Sequence, residues 1–235
     1  MAREVALVVG VGPATGEAVC RQWSDRYKLI LVARSTQFIT ALAHELPDAH
    51  ALPCDVADRD AWAATLGRIR VEFGLPKRIL INTEAAAWGE YNTLSLAQLD
   101  NSFDINAVSL LQLVQTLFPN KETIPAGTRI MISSSPAAYH PSIHPSVPFL
   151  GLAPSRVAQR VMAELLNERL ACHGLAFSVF SINGAIDQPK MRAMYTDKPT
   201  SFFIQPNDIA TAMVSLFDDE DFKLSAELRG ESSFA

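Results

Sequence analysis

A glycine-rich turn near the N-terminus follows an apolar run, residues 4–9, that is typical of a buried strand, and it leads into a helical pattern over residues 14–25. A strand, a glycine-rich turn and a helix start, in that order, present unpaired backbone N–H groups and the positive end of a helix to a pyrophosphate. The sequence therefore predicts a phosphate-binding turn. Its residues are Gly10, Gly12, Ala14, Thr15 and Gly16.

A basic and a hydroxyl side chain, Arg34 and Ser35, follow the second predicted strand at residues 29–33. Dinucleotide sites that prefer NAD have an acidic residue here, which binds the ribose hydroxyls of the adenosine. An arginine instead suits the 2′-phosphate that distinguishes NADP from NAD. The sequence therefore favours NADP. An ordinary exposed arginine at the start of a helix, without a role in binding, would give the same sequence pattern.

The elements that must position these residues alternate along the whole chain. This alternation predicts an α/β fold with a doubly wound, Rossmann-type parallel sheet of about seven strands, in a single domain over residues 1–235. Ligands of such sheets bind beyond the carboxyl ends of the strands, so the site should lie in the loops at 83–95, 134–153 and 184–205. The predicted strands are 4–9, 29–33, 49–53, 78–82, 128–133, 176–182 and 223–229, and the predicted helices are 14–25, 36–46, 57–73, 96–118, 155–172 and 206–217.

Composition and charge exclude several classes of binding partner. The net charge of -5 comes from scattered residues without a basic cluster, so we expect no nucleic-acid partner. No apolar run reaches the roughly 18–20 residues that span a bilayer, and the N-terminus passes directly into a strand without the pattern of a signal peptide. We therefore expect no membrane association and a cytoplasmic protein. The three cysteines, Cys20, Cys54 and Cys172, form no Cys-x-x-Cys pair and are expected to be buried.

The glycine turn resembles that of the short-chain dehydrogenase/reductase family, which reads Thr-Gly-x-x-x-Gly-x-Gly. Gly10 and Gly16 match the first and last glycines, and Ala14 stands in place of the middle one. The resemblance extends over nearly the whole chain. It implies an NADP-dependent oxidoreductase that acts on a small carbonyl or alcohol substrate, and a homo-oligomer, either a dimer or a tetramer, paired through the helices at 96–118 and 155–172.

Further cofactor residues are implied by the same resemblance. Asp55 and Val56 resemble an Asp-Val element that contacts adenine, although Asp55 could equally cap the following helix. Asn82 resembles the first residue of the family's Asn-Asn-Ala-Gly, and Gly184 stands where a Pro-Gly element closes the nicotinamide pocket. Glu84 brings in a carboxylate that must point outward or pair with a basic residue.

The family's catalytic residues are a serine, a tyrosine, a lysine and an asparagine. Asn106 matches the asparagine and Ser134 the serine. Counting back from Gly174, Leu152 stands at the tyrosine position and Arg156 at the lysine position, and an alternative alignment gives Phe149 and Ala153. Neither alignment supplies a tyrosine and a lysine at these two positions. Arg156 would bind the nicotinamide ribose or be an ordinary surface arginine.

The loop between Ser134 and Leu152 contains Tyr139, His140 and His144, any of which could be a relocated proton donor. We expect no metal there, because Pro141 prevents a regular helical pair of histidines and no third ligand is evident. Two functions remain open. One is an NADP-dependent oxidoreductase with an altered proton donor, and the other is a catalytically silent NADP(H)-binding protein with a role in sensing or assembly.

Overall fold

A seven-stranded parallel sheet forms the centre of the molecule, whose computed structural model describes residues 3–85, 87–140 and 150–233. The strand order is β3-β2-β1-β4-β5-β6-β7, and every neighbouring pair is parallel. The predicted doubly wound α/β fold is therefore confirmed. The strands are β1 (Glu4–Val9), β2 (Tyr27–Ala33), β3 (Ala49–Pro53), β4 (Arg78–Ile81), β5 (Thr128–Ser134), β6 (Leu175–Asn183) and β7 (Ser225–Arg229).

Helices cover both faces of the sheet. Residues of α1, α2 and α8 share one hydrophobic core with the sheet, and residues of α3, α5 and α6 share the other. A short helix, α7, lies in the stretch at 184–205 that the sequence predicted to be irregular. The helices are α1 (Thr15–Trp23), α2 (Thr36–Glu45), α3 (Arg59–Glu72), α4 (Leu96–Phe103), α5 (Ser109–Leu117), α6 (Ala153–Leu170), α7 (Pro189–Met194) and α8 (Pro206–Asp218).

Burial on both faces explains why the central strands are apolar throughout rather than alternating. In β1, Leu7 contributes to one core and Val8 to the other, and both are fully buried. Trp23 at the end of α1 makes an edge-to-face contact with Phe217 of α8, with the ring centroids 4.9 Å apart. This packing fixes the direction in which α1 leaves the glycine turn.

One predicted helix is interrupted. The pattern over residues 96–118 predicted a continuous helix, but α4 and α5 are joined by a π-helical segment, Asp104–Val108. Such segments are often found at functional sites, and this one contains Asn106, which the sequence placed among the catalytic residues.

Two local expectations from the sequence are wrong. Asp55 does not cap α3, because its carboxylate accepts from the backbone N–H of Ala57, and the capping residue is Asp58. Cys20 and Cys54 are buried as expected, but Cys172 is exposed. None of the described helices is long and apolar enough to cross a membrane.

Candidate active site

The glycine turn allows β1, β4 and α1 to approach one another closely. Gly10 has a φ of +87°, and a Cβ atom there would lie 2.6 Å from the carbonyl oxygen of Asn82 at the end of β4. At Gly16, a Cβ atom would lie 3.0 Å from the carbonyl oxygen of Gly10. Asn82 donates from Nδ2 to that same oxygen at 3.1 Å. Larger residues at either glycine would separate β1, β4 and α1.

The other residues of the turn leave its backbone open. A Cβ atom at Gly12 would meet nothing within 4 Å. Ala14, the residue before α1, has an extended φ of −156° and provides no side-chain cap. Thr15 is buried, and its hydroxyl has no hydrogen-bond partner in the structure. The start of α1 is therefore suited to receive an anion, as the sequence predicted.

A cleft of about 340 Å³ lies beyond this turn, along the carboxyl ends of β1 to β4. Val56 is buried and contributes to its wall beside the end of β3. Arg34 and Ser35 line its outer end, where Arg34 is 72% exposed and lies 3.9 Å from Asp55. The Ser35 hydroxyl does not cap α2. An exposed cation and a hydroxyl therefore face an open part of the cleft, as phosphate binding requires.

Glu84 and Arg156 form an ion pair at the other end of the cleft. The Glu84 carboxylate is 48% exposed and lines the cleft, whereas the Arg156 side chain is only 2% exposed, and the two groups are 3.3 Å apart. The sequence left open whether Glu84 points outward or pairs with a basic residue, and the structure shows that it pairs with a residue 72 positions away.

Arg156 is not the surface arginine that the sequence left open. Besides Glu84, its guanidinium donates to the carbonyl oxygens of Thr83 and Ser133 and to the side chain of Gln159. Burial lowers the pKa of Arg156, and Glu84 opposes this shift. Arginine titrates so far above neutrality that the group remains charged. It thus joins the ends of β4 and β5 to the start of α6.

Unpaired polar atoms surround this guanidinium. Within the part of the chain that the structure describes, four buried atoms have no hydrogen-bond partner: Arg156 Nε, Gln159 Nε2, Ser134 Oγ and Thr83 Oγ1. Native proteins rarely leave such groups unpaired, and those they do leave often have a role in catalysis or ligand binding. Sequence reasoning missed Thr83 and Gln159. The signal for Gln159 is its spacing, because residues three apart share a face of a helix.

Asn106 is fully buried and faces the protein interior. Its Oδ1 accepts from the backbone N–H of Ala85 at 3.3 Å, and its Nδ2 donates to the hydroxyl of Ser155 at 2.9 Å. These bonds tie the π-helical segment to the loop after β4 and to the first turn of α6. In this structure Asn106 positions the two segments that carry Glu84 and Arg156, and it does not line the cleft.

Tyr139 is not brought to the cleft. Its hydroxyl lies 2.8 Å from the hydroxyl of Ser225, which is the first residue of β7 and is paired with Val179 in the middle of β6. The Arg160 guanidinium lies over the ring, 5.2 Å from its centroid. Burial raises the pKa of Tyr139, which makes the phenol a weaker acid. This geometry counts against Tyr139 as the relocated donor.

The structure gives less information on the other residues that the sequence analysis named in that loop. His140 is exposed, whereas His144 and Phe149 lie outside the described residues. Within the described residues, no three histidine, cysteine or acidic side chains are grouped as metal ligands.

Gly184 begins the segment that covers the carboxyl ends of β6 and β7. It has a φ of +150°, and a Cβ atom there would lie 2.9 Å from both Ile204 and Ser232. Asp187 holds the segment closed through two hydrogen bonds from Arg192 and one from Gln205. The hydrogen bonds from Arg192 and Gln205 lower the pKa of Asp187 to about 2. The structure therefore gives Gly184 a packing role, and its predicted contact with a cofactor stays a prediction.

A family model of the short chain dehydrogenases matches residues 4–182 of the sequence. The chain belongs to the short-chain dehydrogenase family. It is therefore a member of a family of NAD(P)-dependent oxidoreductases, as its resemblance implied. A search of curated protein sequences finds no match.

Solved structures of short-chain dehydrogenases have the same fold. A short-chain dehydrogenase from Streptomyces avermitilis has a TM-score of 0.82 and 18% identity, over 98% of this chain and 89% of that one. An alcohol dehydrogenase from Thermococcus sibiricus, complexed with 5-hydroxy-NADP, has a TM-score of 0.80 and 19% identity, over 98% and 97% of the two chains. A short-chain dehydrogenase from Burkholderia cenocepacia, in complex with NADP, has a TM-score of 0.81 and 16% identity, over 97% of each chain.

The chain departs from the catalytic pattern of the short-chain dehydrogenases, which have a Tyr-x-x-x-Lys pair on the helix after the fifth strand. The sequence contains no lysine between Lys121 and Lys190, and Tyr139 is the only tyrosine between Tyr91 and Tyr195. No alignment can therefore place a Tyr-x-x-x-Lys pair on α6. The positively charged side chain at the start of that helix is Arg156, which is bound to Glu84 and to backbone carbonyl groups.

Proposed function

We propose that this short-chain dehydrogenase binds NADP(H) in the cleft and interconverts a small carbonyl compound and its alcohol, with a proton donor other than the usual tyrosine. The observation that carries the proposal is the arrangement of the cleft. An exposed arginine and a serine, Arg34 and Ser35, lie at one end, the open glycine turn lies in the middle, and the Glu84–Arg156 pair lies at the other end.

The residues present fit this cofactor. The side-chain-free positions Gly10 and Gly16 allow the close approach of strands and helix that shapes the turn. The buried Thr15 hydroxyl, which has no hydrogen-bond partner among the described residues, is placed to donate to a phosphate oxygen. The NADP-containing complexes of the Thermococcus sibiricus and Burkholderia cenocepacia proteins, which share the fold, support the same choice.

The bound cofactor would supply or accept a hydride. The protein's own contribution on the substrate side would come from Ser134, whose buried hydroxyl is free to donate to the substrate oxygen. Arg156 carries a positive charge beside the same strand end, at the carbonyl oxygen of Ser133. A fixed donor and a fixed charge stabilise the negative charge that develops on a carbonyl oxygen during reduction. Ser134 would then hold and polarise the substrate oxygen, and the proton would come from water rather than from a tyrosine.

A catalytically silent NADP(H)-binding protein is the second candidate. One observation favours it: the Arg156 guanidinium already donates to four protein acceptors, so it is held in place as a structural group. A protein of this kind would use cofactor binding for sensing or assembly.

Two measurements test these proposals. Calorimetric titration with NADP(H) and NAD(H) should show tighter binding of NADP(H), and equal affinity or a preference for NAD(H) would contradict the choice of cofactor. Transfer of deuteride from labelled NADPH to a panel of small aldehydes and ketones should then give labelled alcohol. Tight binding without any transfer, even at long reaction times, would favour the silent protein.

We also propose a homo-oligomer, with α4, α5 and α6 in the contact. Leu96 of α4 and Val161 and Leu165 of α6 are exposed apolar side chains. On α5, Leu110, Leu113 and Val114 are buried in the core, so the exposed apolar side chains that support the contact come from α4 and α6. An apolar outer surface on helices that already cover a sheet is what pairing of two chains requires.

A further inference from the structure

Two charged side chains line the described part of the cofactor cleft, and they have opposite sign. Arg34 follows β2 and Glu84 follows β4. Strand β1 lies between these two strands in the sheet, and the glycine turn follows it. A dinucleotide with its 2′-phosphate at Arg34 and its pyrophosphate at the glycine turn has its nicotinamide half on the β4 side. Glu84 therefore belongs to the nicotinamide end of the cleft.

The orientation of the Glu84–Arg156 pair determines which charge the cleft experiences. Glu84 is 48% exposed and lines the cleft, whereas Arg156 is 2% exposed and lies behind it. The guanidinium cannot move forward without losing its hydrogen bonds to the carbonyl oxygens of Thr83 and Ser133. The pair is thus a fixed dipole whose negative end faces the ligand.

We propose that Glu84 makes this site select the oxidised form of the cofactor over the reduced form. The nicotinamide ring carries a positive charge when oxidised and none when reduced, and the rest of the molecule is the same in both forms. A carboxylate near the ring therefore stabilises only the oxidised form, by Coulomb attraction. The proposal rests on the proposed function, because it requires that the cleft holds NADP(H). Because the oxidised cofactor is stabilised, the equilibrium between the bound reactants shifts toward NADP⁺ and the alcohol.

The test is the ratio of the dissociation constants for NADPH and NADP⁺, measured by calorimetry for the unmodified protein and for Glu84→Gln. Glutamine keeps an oxygen for the hydrogen bond from Arg156 and removes the charge. We expect the ratio to fall by about three- to tenfold, mainly because NADP⁺ binds more weakly, as for a partly exposed unit charge several ångströms from the ring. The matched control is Glu168→Gln, an exposed residue near the end of α6, and it should leave the ratio unchanged.

Ionic strength and a conservative variant give independent readouts. Salt screens a partly exposed charge, so the ratio for the unmodified protein should fall as salt is raised from about 0.01 M to about 1 M. Glu84→Asp keeps the charge and should keep a ratio above that of Glu84→Gln. These two measurements remain decisive if Glu84→Gln does not fold.

An unchanged ratio in Glu84→Gln would overturn the proposal. So would an equal change in both dissociation constants, which would place Glu84 at the pyrophosphate, since both forms share that group. Absence of NADP(H) binding to the unmodified protein would overturn the proposed function, and this proposal with it. Binding with a ratio that is independent of charge and of salt would overturn only the present proposal.

Discussion

Arg34 Nη1 lies 3.9 Å from a carboxylate oxygen of Asp55, across the outer end of the cofactor cleft. The Arg34 side chain is 72% exposed and that of Asp55 44%, and exposed ion pairs contribute about 0–1 kcal/mol. A phosphate in the same place would offer Arg34 more charge and several acceptor oxygens. The Asp55 contact is therefore weak enough for a phosphate to replace it, and Arg34 is held near the position where that phosphate would bind.

The first prediction is that Arg34→Ala weakens binding of NADP(H) but not of NAD(H). A hydrogen bond to a charged group contributes about 1.5–3 kcal/mol, and the exposure of Arg34 places the expected loss at the lower end of that range. Calorimetry with both cofactors measures the difference. Asp55→Asn is the companion variant, because it keeps an acceptor for Ala57 N–H while removing the competing charge, so NADP(H) affinity should rise. Equal losses for both cofactors in Arg34→Ala would contradict the assignment.

The second prediction separates function from stability at Ser134. Its hydroxyl is buried without a hydrogen-bond partner among the described residues, so Ser134→Ala should leave the free energy of unfolding unchanged or raise it by about 1 kcal/mol. Turnover should nevertheless fall by about 10²- to 10³-fold, as for loss of one donor to a developing oxyanion. Urea denaturation and steady-state kinetics measure the two quantities. Tyr139→Phe should show the reverse pattern, because the Tyr139 hydroxyl is bound to Ser225 away from the cleft.

The sequence predicts most of the framework, because the central strands are apolar on both faces and the turn residues follow them directly. The bounds of β1 and β3 agree with the predicted ranges, 4–9 and 49–53. Helix α6 begins two residues before the predicted start at 155. Pro154 in its first turn explains the difference, since proline suits that position.

The site was predictable only in part. Parallel strands bring their carboxyl ends to one edge of the sheet, where ligands bind. The sequence could therefore identify the glycines, Arg34 and Ser134 from their positions at the ends of strands. Pairings between distant residues have no local signal. The contact between Glu84 and Arg156 depends on how α6 packs on β4 and β5, and the direction of the Tyr139 side chain depends on β7. Both follow from tertiary packing rather than from spacing.

The third prediction concerns the segment from residue 184 to 205, which Asp187 holds closed. The pKa of Asp187 is lowered to about 2 by Arg192 and Gln205, against an ordinary value of about 3.9. Its stabilising contribution is therefore complete above about pH 4 and is lost as the pH falls toward 2. We expect the backbone amide of Ile204 to be less protected from exchange in the unmodified protein near pH 2. Asp187→Asn should show the same weaker protection at pH 7. Nuclear magnetic resonance hydrogen exchange measures it, and unchanged protection in the variant would refute the role of Asp187.

The fourth prediction is that the chain associates through α4, α5 and α6. Light scattering at micromolar concentration should give a mass of at least twice the 25.7 kDa of one chain. Leu165→Glu introduces a charge at an exposed apolar position, so it should reduce the mass to that of a monomer without unfolding the chain. Lys223→Glu, on the loop before β7, is the control and should leave the assembly intact. A monomeric unmodified protein would contradict the prediction.

The fifth prediction concerns the missing acid. A positioned general acid contributes about 10²- to 10⁴-fold to rate, so the unmodified protein should reduce ordinary carbonyl substrates slowly by that margin. The double change Leu152→Tyr with Arg156→Lys introduces a phenol and an ammonium four residues apart at the start of α6. It should raise the rate of hydride transfer at least about tenfold, as part of that contribution.

This gain should come with a loss of stability. Lysine has three N–H donors where Arg156 satisfies four acceptors, so a buried acceptor among Thr83 O, Ser133 O and Gln159 Oε1 loses its donor, at a cost of about 1–3 kcal/mol. Tyrosine at the buried Leu152 adds strain from overpacking. Arg156→Lys alone is the matched control, because it weakens the hydrogen-bond network without supplying a phenol. A double variant that is faster than this control, although no more stable, would show that the unmodified site lacks an acid and is otherwise intact. Rapid turnover by the unmodified protein would instead contradict the prediction of a missing acid.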